Sequence, residues 1–373
     1  MEKIKIGNVG FDVVTCTGFT IDEESIFRLK NRINNGESFQ DAEVNVSNTN
    51  YVTIKDKPFF EFASFVSNLD EQRYGKLTVH AAREDGNNIC NMNIENLNEK
   101  IQTAIWRLTD KYGLDIQQQE IKISRCELNK TIVINDEFEA YKRVLKLFAL
   151  MVTKGNGKVN TVTAEVLRKA LKDQGILVQK KTYAWRVYDK ATEMFEKFGG
   201  ITFDKRLLRI EKVYNSSQPF ATDFETVLLS DLTNEKLEKV FAEKMKEIRK
   251  GIDNYLEEKM LYKPGFKGRD TTIPNIITSY YEWGKIMSAI ASYEANYIVP
   301  CMLDATDMYR AIQCIMDKKL IRAGDVKQHY QKYMECYSNV PEVVTLWDEQ
   351  RQLMNEFFDK VTKNYVELIK MRN

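Results

Sequence analysis

Histidine is almost absent from this chain, and its scarcity narrows the chemistry available. The 373 residues include only His80 and His329, too far apart in sequence to grip a metal as a local pair. Any metal site must therefore rely mainly on carboxylates. Cysteine is sparse as well: Cys16, Cys90, Cys126, Cys301, Cys314 and Cys336 form no C-x-x-C pair. That scatter fits reduced thiols in a cytoplasm better than a zinc cluster. No apolar run of about 18 residues exists to span a bilayer. The nearest stretch, 286–303, is interrupted by Glu294, and the opening Met1–Ile6 lacks the apolar core of a secretory signal. A cytoplasmic protein without a membrane partner is expected. Neither a G-x-x-x-x-G-K-[ST] phosphate loop nor a dinucleotide fingerprint is present, so no nucleotide cofactor is expected.

What remains is an ordinary globular composition, 43% hydrophobic and 29% charged, in a chain long enough for two or three domains. The net charge of +1 hides an uneven distribution. Between Lys122 and Lys212 there are 20 Lys+Arg and 11 Asp+Glu, a balance of +9, so the rest sums to −8. Residues 1–120 hold 13 basic and 19 acidic side chains. A basic middle points to a localised polyanion-binding face, and chance clustering on solvated faces explains it equally well.

Hydrophobic periodicity divides the chain. Short strands are predicted at Lys3–Ile6, Asp12–Thr17, Tyr51–Lys55, Phe59–Phe65 and Lys76–Ala81, and helices at Asp22–Asn34 and Asn93–Tyr112. The middle reads as a β-rich stretch Glu120–Ile134, a helix Asp136–Val152, a weak helical stretch 162–173, then strands Lys181–Lys190 and Arg206–Tyr214. This order argues an α+β fold with an antiparallel sheet. Asn215–Thr222 reads as a linker. Beyond it, Glu235–Met260 and Pro341–Met371 read as long helices, with 263–275 as a loop. The expected domains are an N-terminal α+β part at 1–118, a core carrying the Tyr188 segment at 119–214 and a helical domain at 223–373. Within the last, Met308–Ile321 and Asp325–Tyr333, joined at Arg322-Ala323-Gly324, read as a helix-turn-helix or as two core helices.

Three predicted strands carry the chemistry. Period-two alternation puts Arg125 with Glu127 on one face, Arg209 with Glu211 on another, and Arg186, Tyr188 and Lys190 together on a third. Charged side chains in apolar strands are costly to bury unless paired or ligating. Two carboxylates, several cations and one phenol suit phosphodiester transesterification, in which a tyrosine oxygen attacks phosphorus. With an ordinary pKa of about 10 the phenol is a weak nucleophile, and Lys190, Arg186 or a bound Mg²⁺ would favour its ionised form. Glu127 and Glu211 are the hard oxygen donors that Mg²⁺ or Mn²⁺ prefers. Each residue also has a plain structural reading. Tyr188 would be a half-exposed strand tyrosine, the Arg–Glu pairs cross-strand ion pairs, Tyr183 and Trp185 core, and His80 structural or a single metal ligand.

The segments Ser124-Arg125-Cys126-Glu127, Tyr188-Asp189-Lys190-Ala191-Thr192-Glu193 and Arg209-Ile210-Glu211 resemble, in order and spacing, motifs of the rolling-circle replication initiators of filamentous phages, the gene II/gene X type, and related plasmid replication initiation factors. The resemblance covers roughly residues 120–215. It implies a replication-initiator, relaxase-like antiparallel sheet with flanking helices. It also implies that Tyr188 is the nicking nucleophile, assisted by Lys190, and that Glu127 and Glu211 bind the metal. Apart from the resemblance, Arg186 is expected to assist at the phenol, and Arg125, Arg209 and Lys181 to contact DNA. The substrate would be single-stranded or supercoiled origin DNA, with host helicase and polymerase as partners. Two departures stand out. The first acid of the pattern is usually aspartate and is Glu127 here, and the His-hydrophobic-His motif of other rolling-circle nucleases is absent. Tyr183 and Tyr214 remain rival nucleophiles. A mobilisation relaxase with the same chemistry, or a non-enzymatic DNA-binding regulator, are the alternative functions.

Overall fold

The computed structural model describes residues 2–56, 59–67, 72–81, 89–154, 171–172, 175–197, 199–261 and 348–372. The chain divides into two units, one formed by Met1–Asn135, Gln179–Glu243 and Lys360–Asn373, the other by Asp136–Val178 and Lys244–Asp359. The segments 263–275 and 308–333, and most of 162–173, lie outside the described residues. No helix among the described residues is long and apolar enough to cross a membrane.

The first unit is α+β, built on a large antiparallel sheet with flanking helices. In chain order its strands are β1 (Glu2–Ile6), β2 (Gly10–Ile21), β3 (Ala42–Val46), β4 (Val52–Asp56), β5 (Phe60–Val66), β6 (Arg73–His80) and β7 (Ile116–Ile134). Strands β8 (Leu171–Lys172) and β9 (Gly175–Gln179) pair as a hairpin, the bulk of it in the second unit. The first unit resumes with β10 (Tyr183–Asp189), β11 (Thr202–Phe203), β12 (Arg206–Tyr214) and β13 (Glu367–Arg372). Its main sheet runs β3-β4-β5-β6-β2-β7-β12-β10, and every adjacent pair is antiparallel. A second, three-stranded sheet has the order β1-β13-β11.

Local chemistry explains the flanking helices. Helix α1 (Glu23–Asn34) starts where the Asp22 carboxylate accepts the Ser25 backbone N–H at 2.8 Å. Helix α2 (Ile94–Asp110) starts the same way at Asn93, whose side chain accepts the Asn96 N–H at 2.7 Å. Leu97, Ile101, Ala104 and Leu108 form its buried face, and Gly113 ends the segment in the left-handed region at φ +70°. Strand β7 changes character along its length. Its first half is largely exposed, whereas Cys126–Ile134 is buried on both faces between β2 and β12.

Helix α3 (Phe138–Lys154) belongs to the second unit, as do most of the two further helices Asn234–Leu261 and Asp348–Thr362. There Phe148 meets Phe357 edge-on at 6.3 Å, and the Tyr141 hydroxyl donates to Glu356 at 2.7 Å.

Two sequence readings are corrected. The expected linker at Asn215–Thr222 is largely helix, Ser217–Phe224. Pro219 is tolerated because it lies in the first turn, and Phe220 and Phe224, one turn apart, pack on Tyr214. The expected long helix Pro341–Met371 instead ends at Thr362 and is followed by β13. Ile369 and Met371 point into a core with Ile4, Ile6 and Leu207, while Leu368, Lys370 and Arg372 point out. That alternation is a strand's, and pairing with β1 fixes it.

Candidate active site

Residues directly opposed in an antiparallel pair share a face. Strand β10 pairs with β12 so that Arg186 faces Glu211 and Tyr188 faces Arg209. Strand β12 pairs with β7 so that Arg209 faces Thr131, Glu211 faces Asn129 and Val213 faces Glu127. Register therefore gathers Arg186, Tyr188, Arg209, Glu211, Glu127 and Asn129 on one face. The expected grouping of phenol and acids is what the structure contains.

The centre of this face is a hydrogen-bonded network. The Tyr188 hydroxyl donates to Glu211 Oε1 at 2.6 Å. Arg186 Nη1 lies 3.5 Å from Glu211 Oε2 and 3.6 Å from Glu127 Oε2, so one guanidinium bridges both acids. Glu127 Oε1 also accepts from Arg125 Nη2 at 2.8 Å. Both glutamates are buried, while the Arg186 side chain that contacts them is 38% exposed. Burial raises the Glu127 pKa, a shift that Arg186 opposes and the neighbouring Glu211 charge reinforces.

Tyr188 is half-buried, and burial lifts its pKa well above the ordinary phenol value, against an opposing pull from the Arg209 charge. Arg209 pulls toward the ionised phenol, as a neighbouring cation should, and desolvation outweighs it. Lys190 opens helix α4 (Lys190–Lys197) and is fully buried. Its Nζ lies 5.8 Å from the Tyr188 ring centre and donates to Glu193 at 2.6 Å. Burial first, and the Arg209 charge second, depress its pKa to about 8, with Glu193 pulling the other way.

Two residues expected to touch DNA are placed differently. Arg209 is 0% exposed, and its guanidinium is held by Thr131 Oγ1 at 2.9 Å and the Ile89 carbonyl at 2.8 Å. Strand β12 is buried from Leu207 to Tyr214, so Arg209 has no surface to offer a phosphate and serves as an internal cation. Lys181 is exposed in the bend before β10, outside the network. Arg125, by contrast, keeps a 40% exposed side chain at the edge of the site.

Sequence reasoning missed Asn129. It is fully buried, and neither its Oδ1 nor its Nδ2 has a hydrogen-bond partner. An orphaned amide opposite Glu211 and two residues from Glu127 is a third candidate oxygen donor. Its role depends on register, which no local pattern reveals. Among the described residues, no group of three or more His, Cys, Asp and Glu gathers to hold a metal. A set of two carboxylates and one amide oxygen suits a hard cation that keeps several waters. His80 is buried two strands away, its Nε2 3.8 Å from Glu61 Oε1.

The rival tyrosines lie on the opposite face. Tyr183 and Tyr214 oppose each other in register. Tyr214 is 1% exposed and donates to Asp223 at 2.8 Å, and Lys212 pairs with the same carboxylate.

No profile of a known protein family matches the sequence, and no curated protein matches it significantly. Among solved structures, the chain is similar to one titled as a rolling circle replication initiator protein from Geobacillus stearothermophilus, with 12% identity and a TM-score of 0.33, covering 64% of this chain and 84% of that one.

Proposed function

We propose that this chain initiates rolling-circle DNA replication by nicking and rejoining one strand through Tyr188. The observation that carries this reading is the 2.6 Å hydrogen bond from the Tyr188 hydroxyl to Glu211, beside an arginine that bridges two acids. A nucleophile touching a proton acceptor, with a cation alongside, is the arrangement covalent phosphoryl transfer needs.

Because burial keeps the phenol protonated at neutral pH, the chemistry needs a base rather than a preformed phenolate. Glu211 takes the Tyr188 proton as the phenol oxygen bonds to phosphorus. The P–O3′ bond breaks, the leaving 3′ oxygen takes a proton from water, and the 5′ phosphate stays on Tyr188. Arg186 swings its partly exposed guanidinium onto the non-bridging oxygens, where charge builds up. Lys190 and Arg209, buried behind the ring, hold positive charge near the phenol oxygen. In the reverse step a 3′ hydroxyl gives its proton to water as it attacks the phosphotyrosine, Tyr188 recovers its proton from Glu211, and the circle closes without a nucleotide cofactor. Glu127, Glu211 and the Asn129 amide oxygen would hold Mg²⁺ or Mn²⁺, which when bound supplies a Lewis acid to the phosphate. Origin DNA as substrate, host helicase and polymerase as partners, a cytoplasmic setting and a partner-binding role for residues 223–373 belong to the same proposal.

The test is incubation with Mg²⁺ and a supercoiled plasmid carrying the chain's own gene and flanking DNA. Relaxed circles and a covalent peptide–DNA adduct at Tyr188 are expected, and Tyr188→Phe should give neither. Retained nicking by that variant, or an adduct on Tyr183 or Tyr214, overturns the assignment.

A further inference from the structure

The three-stranded sheet brings together cations that the sequence holds far apart. Strand β1 pairs with β13 so that Lys3 faces Lys370 and Lys5 faces Leu368, and β11 adds Thr202 opposite Arg372. Parity along both strands puts Lys3, Lys5, Leu368, Lys370 and Arg372 on one side, and all five are exposed. Ile4, Ile6, Ile369 and Met371 point the other way, into the core. Lys3, Lys5, Lys370 and Arg372 have no ion-pair partner among the described residues. The neighbouring acids are occupied elsewhere. Glu367 binds Lys205 at 2.6 Å, and Asp204 accepts the Lys370 backbone N–H at 2.8 Å.

Like charges directly opposed across a strand pair destabilise it. Two lysines in that relation, flanked by two more unpaired cations, make a face that gains free energy when an anion covers it. The strip carries no aromatic platform on which bases could stack, which a surface for single strands would need. It fits a row of phosphates, read by charge and without sequence preference.

Building on the nicking function proposed above, we infer that the exposed face of β1 and β13 is a second DNA contact, where Lys3, Lys5, Lys370 and Arg372 hold the phosphodiester backbone of duplex DNA flanking the cut strand. It lies apart from the Tyr188 network and uses none of its residues.

The experiment measures binding of a fluorescent mixed-sequence duplex to the full chain by anisotropy across a salt series, for wild type and for Lys3→Gln/Lys5→Gln/Lys370→Gln/Arg372→Gln. Each phosphate contact contributes about 0.9 to the slope of log K against log salt. The fourfold variant should lose roughly 2 to 4 of that slope and at least about tenfold in affinity at low salt. It should melt no lower than wild type, because a like-charge repulsion has been removed. A gain variant guards against a folding artefact: Leu368→Lys should tighten duplex binding and steepen the slope by about 0.9. Unchanged slopes in both variants overturn the inference and leave the nicking function standing, whereas a wild type that binds no DNA overturns both. Loss of binding to phosphatidylserine vesicles in the fourfold variant, with duplex binding intact, also overturns it, in favour of a lipid surface.

Discussion

The two faces of the sheet at β10 and β12 hold almost the same chemical parts. On one, Tyr188 donates to Glu211 with Arg186 and Lys190 nearby. On the other, Tyr214 donates to Asp223 with Lys212 nearby, its Nζ 4.9 Å from the Tyr214 ring centre. What separates them is cover. Phe220 and Phe224 of the helix Ser217–Phe224 pack on the buried Tyr214, whereas Tyr188 is only half-buried and the arginine on its acid partner is 38% exposed. A phenol, a carboxylate and a cation make a site only where a substrate can reach them, and the same three groups under a helix are mortar.

The sharpest way to break this comparison is to remove each hydroxyl in turn. Tyr188→Phe should lower nicking by about 10³-fold or more, as expected for loss of a nucleophile, and a gel assay of plasmid relaxation reads it. Next in size, Phe220→Ala should cost roughly 3–5 kcal/mol of stability by opening a cavity over Tyr214, measured by urea unfolding, with the nicking rate of the folded fraction unchanged. Tyr214→Phe should cost about 1–3 kcal/mol, since it leaves the buried Asp223 short of a donor, and should also leave nicking intact. If Tyr214→Phe abolished nicking and Tyr188→Phe did not, the two faces would exchange roles.

The smallest effect concerns pH. The buried Lys190 has a folded pKa of about 8, below the ordinary lysine value of 10.5. Between those values the unfolded chain binds the proton and the folded chain does not, so stability rises with pH across that window and the cost of a buried charge is felt in full below it. Melting temperature should therefore climb by a few degrees from pH 7.5 to 9.5, and Lys190→Met should flatten the climb. Burial and the Arg209 charge lower this amine's pKa, and the Glu193 and Asp12 charges oppose them. A wild type whose melting temperature falls over the interval would contradict the assignment.

Much of this architecture was legible in the sequence because its signals are local. Strand β12 was placed residue for residue, since Arg206–Tyr214 alternates between turn-bounded ends. Period-two parity correctly separated Tyr188 from Tyr183. What failed was non-local. Asn129 and Arg209 acquire their roles from strands on both sides, so a charged residue in a strand looked like a surface contact when it was an internal cation. Strand β13 shows the same limit, because Glu-Leu-Ile-Lys-Met-Arg suits a helix end as well as a strand until β1 arrives to pair with it. The helix over Tyr214 was hidden by one proline and by polar neighbours that usually mark a connection.

The pairing of β1 with β13 also sets a timetable. During synthesis β1 leaves the ribosome ahead of the other described strands, and its hydrogen-bonding partner β13 follows them. Until then Ile4 and Ile6 lack Ile369 and Met371 from their shared core, and Lys3 and Lys5 lie on an unpaired strand. Such a long-range closure is slow to form. The cationic strip is thus assembled only after the strands that carry Tyr188, Glu211 and Glu127 have been made.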